Sequence, residues 1–189
     1  MAIIDISREI MSTGPYAGDP APRMHSLATH KEDGYQLQAI VMSLHAATHV
    51  DAPLHFVEGG SDIAEQPLEA YYGPCTVLTV PPGPLDASYF MRIHFTDRVL
   101  LRGPGYLLKS AVGYFYTRGV KLVGTDRETI GQATDEKTIH MALMTYGIAV
   151  LENIDLTNVS DGTYTLCCAP LRISGAEGAP CRAFLVTKN

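Results

Sequence analysis

One stretch constrains this chain more than any other: His45-Ala46-Ala47-Thr48-His49-Val50-Asp51-Ala52-Pro53-Leu54-His55-Phe56. Three of the seven histidines and an aspartate fall within it, among neighbours that are almost all apolar. Such company predicts a shared buried environment. Burying a polar group without a partner costs roughly 2–7 kcal/mol, and one divalent cation would partner all of these groups at once. Imidazole and carboxylate are ligands that Zn²⁺, Mn²⁺ and Fe²⁺ accept. The spacing agrees with a cation. His45 and His49 stand one helical turn apart, whereas His49 and Asp51 lie on one side of an extended segment, and Pro53 keeps Ala52 out of helical geometry. Any fold of this chain must therefore run a turn into extended backbone here. The plainer reading, histidines that cap turns and satisfy core backbone groups, does not explain why the stretch has so little solvating company.

At 189 residues the chain fits one domain, 1–189, large enough to bury roughly 70% of the surface its unfolded form exposes. Its 46% hydrophobic and 18% charged residues describe an ordinary globular protein, neither disordered nor membrane-spanning. The net charge of -6, without clustered Lys and Arg, argues against a nucleic-acid partner. Met1-Ala2-Ile3-Ile4-Asp5-Ile6 has no basic leader before an apolar core, which predicts no export signal and a cytoplasmic location. Cys75, Cys167, Cys168 and Cys181 show no C-x-x-C spacing and read as reduced core residues.

Along the chain, residues 2–6 alternate as a first strand and 11–23 read as loop, with Gly18-Asp19-Pro20 as a turn. Residues 35–44 are β-rich and feed the histidine cluster, so the ligands are expected at the end of that strand. Further strands are predicted over 75–80, 98–102, 121–124, 148–151, 164–171 and 181–187. Residues 106–118 carry Leu107, Leu108, Ala111, Val112 and Phe115 at helical spacing, with Gly119 as cap. Residues 133–146 form a second helix, with Thr134 or Asp135 at its start and Gly147 at its end. Strand, helix, strand, twice over, is a parallel βαβ signature, so the fold class is α/β with a mixed sheet. A helix and the strand after it run in opposite directions, which can lay His140 beside Glu152 and bring both to the cluster. His25 and His30 sit in polar surroundings and His94 lies in a segment between strands, so all three read as surface or structural.

The pattern His-x-x-Thr-His-x-Asp-Ala-Pro-x-His-Phe resembles the signature of the metal-dependent cyclase-like hydrolases, which include bacterial kynurenine formamidases and isatin hydrolases. Similarity runs from Ile4-Asp5-Ile6-Ser7 to the segment Pro170 through Pro180. The resemblance implies a swivelling β/β/α cyclase-like fold. It also strengthens His140 and Glu152 as the remaining ligands, the latter within Glu152-Asn153-Ile154-Asp155. An early turn, here Tyr16-Ala17-Gly18-Asp19, helps line the family's pocket, and Gly124-Thr125-Asp126 with Thr129 matches a further pocket or supporting segment. Tyr16, Asp19 and Thr125 are thus the substrate-binding candidates. The turn departs from the family's aromatic-Pro-Gly-Asp, and Arg102-Gly103-Pro104-Gly105 stands where relatives often carry threonine.

The expected activity is hydrolysis of an amide or lactam bond in a small aromatic or cyclic molecule by a metal-activated water, arylformamidase-like. His45, His49, Asp51, His140 and Glu152 would hold one or two divalent ions, Zn or Mn, two per chain if Asp51 and Glu152 bridge. His55, close by and not needed as a ligand, is the expected general acid/base. A homodimer or homotetramer is expected, from the resemblance and the generous apolar fraction. Two other readings compete. A mononuclear Fe(II) oxygenase would use His49, Asp51 and His140 but leaves His45, His55 and Glu152 idle; a non-catalytic metal- or ligand-binding protein leaves His55 idle.

Overall fold

Segments that alternate within an apolar run decide the architecture. Val99 and Leu101 face one side of their strand while Leu100 faces the other, and Val123 opposes Leu122 as Val150 opposes Leu151. Strands buried on both faces need cover on both faces, the usual state of parallel strands. A computed structural model describes residues 1–187. Its strands in chain order are β1 (Ile3–Asp5), β2 (Arg23–Ala28), β3 (Leu37–Val41), β4 (His49–Asp51), β5 (Tyr72–Thr79), β6 (Gly83–Leu85), β7 (Arg98–Arg102), β8 (Gly105–Leu107), β9 (Leu122–Thr125), β10 (Ala149–Glu152), β11 (Gly162–Cys167), β12 (Gly178–Pro180) and β13 (Phe184–Val186). The α-helices are α1 (His30–Asp33), α2 (Ala87–Phe90), α3 (Lys109–Thr117) and α4 (Glu136–Thr145).

Nine strands make one mixed sheet in the order β1-β13-β11-β5-β7-β9-β10-β4-β12. The centre, β5-β7-β9-β10, is parallel, and the strands on either side are antiparallel. Helices α3 and α4 make the crossovers from β7 to β9 and from β9 to β10, and Phe115, Val112, Ile139 and Leu143 pack on Val99, Leu101, Val123 and Val150. Ile6, Val50, Val77, Leu100, Leu151, Leu166 and Leu185 build the core of the other face. This is the expected α/β class with βαβ units.

Several expectations need correcting. The helix read over 106–118 begins only at Lys109, because Leu107 and Leu108 stay extended and donate to Ile130 O and Leu85 O at 3.3 and 2.9 Å. The strand read over 35–44 stops at Val41 and pairs with β2 in a separate two-stranded sheet, so it does not carry the ligands. Arg23–Ala28, which follows on the segment read as loop and carries no predicted element, is the partner strand. Of the cysteines, Cys75 and Cys168 are buried, whereas Cys167 and Cys181 are partly exposed.

Candidate metal centre

The site forms where β4 lies between β10 and β12. Its register puts His49 opposite Glu152 and Asp51 opposite Val150, and Val150 belongs to the core beneath the helices. Since residues two apart share a face, His49, Asp51 and Glu152 point toward α4, while Val50 fills the opposite core. His140 comes down from α4. Its Nε2 lies 3.1 Å from Glu152 Oε1 and 3.4 Å from Asp51 Oδ2. His45 arrives from the preceding turn, with Nδ1 3.0 Å from Asp51 Oδ1. Ala47 and Asn153 are the described non-glycine residues with positive φ, at 54° and 58°. Both line the cavity over the cluster, where sparsely populated backbone geometry commonly gathers.

The ligating atoms fall into two groups that share Asp51: His45, His49 and Asp51, then Asp51, His140 and Glu152, each within 4.8 Å. The rings are oriented from behind. His49 Nδ1 donates to Ala47 O at 2.9 Å, and His140 Nδ1 to Glu136 O at 2.9 Å, so both present Nε2 to the carboxylates. Burial alone would raise the Asp51 carboxyl, yet hydrogen bonds from His140, His45 and His49 hold it well below the usual range. Burial would likewise lower His49 and His140. Hydrogen bonds and charge from Asp51 and Glu152 overcome it and push them up to about 9 and about 11. Two buried carboxylates thus draw positive charge from whatever can supply it.

The residues fit a divalent cation. The donor set is mixed imidazole and carboxylate, and the buried His45 Nε2 has no hydrogen-bond partner. Gly178 cradles that ring closely: a Cβ there would stand 3.0 Å from His45 Cε1. His55, half-buried at the end of the 3₁₀ turn Pro53–His55, has its ring centroid 4.1 Å from that of His45. Burial lowers its pKa, with the Asp51 charge opposing.

Above the cluster lies a cavity of about 430 Å³. Tyr16 and Asp19 line it, and Thr125 does not; that side chain is buried and accepts from Arg127 N at 3.2 Å. Asp19 N donates to Tyr16 O at 2.9 Å, closing the turn, and Asp19 Oδ2 accepts from Ser43 Oγ at 2.7 Å. His25, His30 and His94 are exposed. Sequence reasoning missed Glu177, whose Oε1 is 3.4 Å from His45 Nε2, and Glu136, which accepts from Tyr16 Oη at 3.1 Å. An acid beside Gly178 in the similar segment 170–180 was the available signal.

Known proteins share this arrangement of chain. A family model described as "Putative cyclase" matches residues 4–97. A kynurenine formamidase from Salinibacter ruber is 33% identical, over 98% of this chain and 97% of its own. Among solved structures, a potential metal-dependent hydrolase with cyclase activity superposes with a TM-score of 0.83 at 24% identity, covering 97% of this chain and 96% of its own. Isatin hydrolase A from Labrenzia aggregata does so with a TM-score of 0.83 at 18% identity, covering 99% and 94%. Both superpositions establish a shared fold.

Proposed function

This chain belongs to the cyclase family, and on that premise we propose that it is a metal-dependent hydrolase of an amide or lactam bond in a small aromatic or cyclic molecule. One observation carries the reading: Asp51 is shared by two three-residue ligand groups, all buried except the partly buried His45. His45, His49, Asp51, His140 and Glu152 would hold divalent metal, Zn or Mn, as two ions per chain. Such an ion supplies Lewis acidity toward a carbonyl and a water acidic enough to ionise near neutral pH. The chain does the rest. Phe56 packs 4.7 Å from His140, centroid to centroid, and lays an apolar ring beside the cluster. His55 stands at the cavity wall with a pKa lowered by burial, so its neutral imidazole can accept a proton and return it to the leaving nitrogen. Tyr16 and Asp19 line the same cavity and would orient the substrate.

Elemental analysis of protein purified without chelator, followed by assays on N-formylkynurenine and isatin, tests the reading. Metal bound at these residues with hydrolysis of either compound is expected; a metal-free protein, active in strong chelator, would overturn it.

A cytoplasmic homo-oligomer, dimer or tetramer, belongs to the same reading. Among the described residues no helix is long and apolar enough to cross a membrane. The β2–β3 sheet supports association, since Met24, Leu27, Leu37, Ile40 and Val41 all stand exposed on it.

A further inference from the structure

A second cavity, of about 570 Å³, adjoins the first and shares Gly14, Tyr16, Glu128 and Asn153 with it. Arg8, Arg127 and Thr129 stand on its wall. Neither arginine is ion-paired among the described residues; the arginines that are paired are Arg98, Arg102 and Arg182. Each guanidinium is steadied by a backbone carbonyl, Arg8 Nη2 by Asp126 O at 3.2 Å and Arg127 Nη1 by Gly105 O at 3.1 Å. That leaves most of their donors unused. Arg8 Nε is buried with no partner, and so is the hydroxyl of Thr129, a residue only 7% exposed. Buried donors are nearly always met in folded proteins, so these mark a missing acceptor.

The arginines are also held in register with the metal centre. Arg8 N donates to Thr48 Oγ1 at 2.9 Å, Thr48 Oγ1 donates to Asn153 O at 2.7 Å, and Asn153 N donates to Arg127 O at 2.9 Å. Thr48 precedes His49 and Asn153 follows Glu152, so this relay ties both arginines to the ends of the strands that carry the ligands.

We propose that Arg8, Arg127 and the Thr129 hydroxyl form a carboxylate-binding subsite, which holds an anionic end of the substrate while its amide bond lies over the five-residue cluster. The inference rests on the hydrolase reading for the second half of that statement only. Guanidinium forks match a planar carboxylate. Asp126 and Glu128 share the wall, so a single negative charge is accommodated better than a phosphate dianion. The Asp126 carboxyl is already engaged, accepting from Gly103 N at 3.0 and 3.1 Å.

Calorimetric titration of the metal-loaded protein with benzoate and with benzamide, its neutral counterpart, tests the subsite. Benzoate is expected to bind at least tenfold more tightly, and Arg8→Gln and Arg127→Gln each to remove that preference at unchanged metal content. Arg127→Lys should restore part of it. Should an arginine variant fail to fold, Thr129→Val, which keeps the shape of a buried side chain, carries the same test with an expected loss of about threefold. Equal binding of the two probes overturns the subsite. Benzoate binding retained in both arginine variants also overturns it, by placing the carboxylate on the metal. With N-formylkynurenine, the variants should raise KM at least tenfold and leave kcat within a few-fold. Arginine-dependent benzoate binding in a protein without metal or hydrolysis keeps the subsite and overturns the function; hydrolysis indifferent to the arginines does the reverse.

Discussion

Gly178 shows how closely single residues are fitted around this site. A Cβ there would stand 2.9 Å from Val50 O and 3.0 Å from His45 Cε1, and neither the β4 backbone nor the imidazole is the free end of a flexible side chain. Gly178→Ala should therefore displace His45 and cost about 1–3 kcal/mol, as overpacking does. Thermal unfolding and metal content measure both effects, and a variant identical to the parent in each would show that the cradle yields freely. The histidines divide differently. His55→Ala should keep its metal and lose turnover by about 10²–10⁴-fold, whereas His49→Ala should lose metal and activity together. Rates belong at saturating substrate, so that weak binding is not mistaken for lost chemistry; a His55→Ala protein that purifies metal-free makes His55 a ligand. At this scale the sequence was informative where unusual residue types met an apolar setting. His45, His49 and Asp51 stood out among three alanines and a valine. Glu177 did not, because only the placement of β12 beside β4 brings it near His45.

Elements were legible in proportion to how much of their surface they bury. Helices α3 and α4 announce themselves by apolar spacing and by Gly119 and Gly147, which end them at φ of 70° and 67°. Strand β2 is exposed over all but its last residue, so it has no buried face to leave an alternating trace, and β3 could be read as a strand but not assigned its partner. Two paired strands are marginal alone in water, so this sheet should be covered in solution. Light scattering at micromolar concentration should give a dimer or larger, and Leu27→Lys with Ile40→Lys should shift it to monomer; a parent that is already monomeric contradicts the idea. Strand β7 hides another feature that pattern could not disclose. Arg98 is 2% exposed; it donates to Ala70 O at 2.8 Å, to Glu69 O and to Pro74 O, and pairs with Asp97 at 2.8 Å. A charge at a strand end looks like a solvated edge, yet this one ties the 3₁₀ turn Leu68–Ala70 to the sheet. Arg98→Ala strips partners from three carbonyls and leaves a void, so a loss of about 3–5 kcal/mol is expected in denaturant unfolding. A loss under about 1 kcal/mol would mean that water replaces the guanidinium.

For the whole molecule, the metal centre should act as a clamp as well as a catalyst. Its ligands come from a turn before β4, from β4 itself, from α4 and from β10, so an ion held there joins the α4 crossover and the parallel strand β10 to the antiparallel β4. An ion that binds only the folded chain stabilises it by mass action, about 2.7 kcal/mol at a concentration a hundredfold above Kd. For a chain of this length that corresponds to a rise in Tm of roughly 5–11 °C. Chelation should reverse it, and re-addition of Zn²⁺ or Mn²⁺ should restore it with a concentration dependence that saturates. Acidity works in the same direction as the chelator. Imidazole and carboxylate must be deprotonated to ligate, so affinity falls as pH falls, and the Tm difference between loaded and stripped protein should shrink on going from neutral to mildly acidic buffer. Calorimetric scans of loaded and chelator-treated protein across that range measure this. If the two forms melt together at every pH, the cluster binds no ion tightly enough to matter for the fold, and the buried carboxylates must rely on protonated His49 and His140 alone.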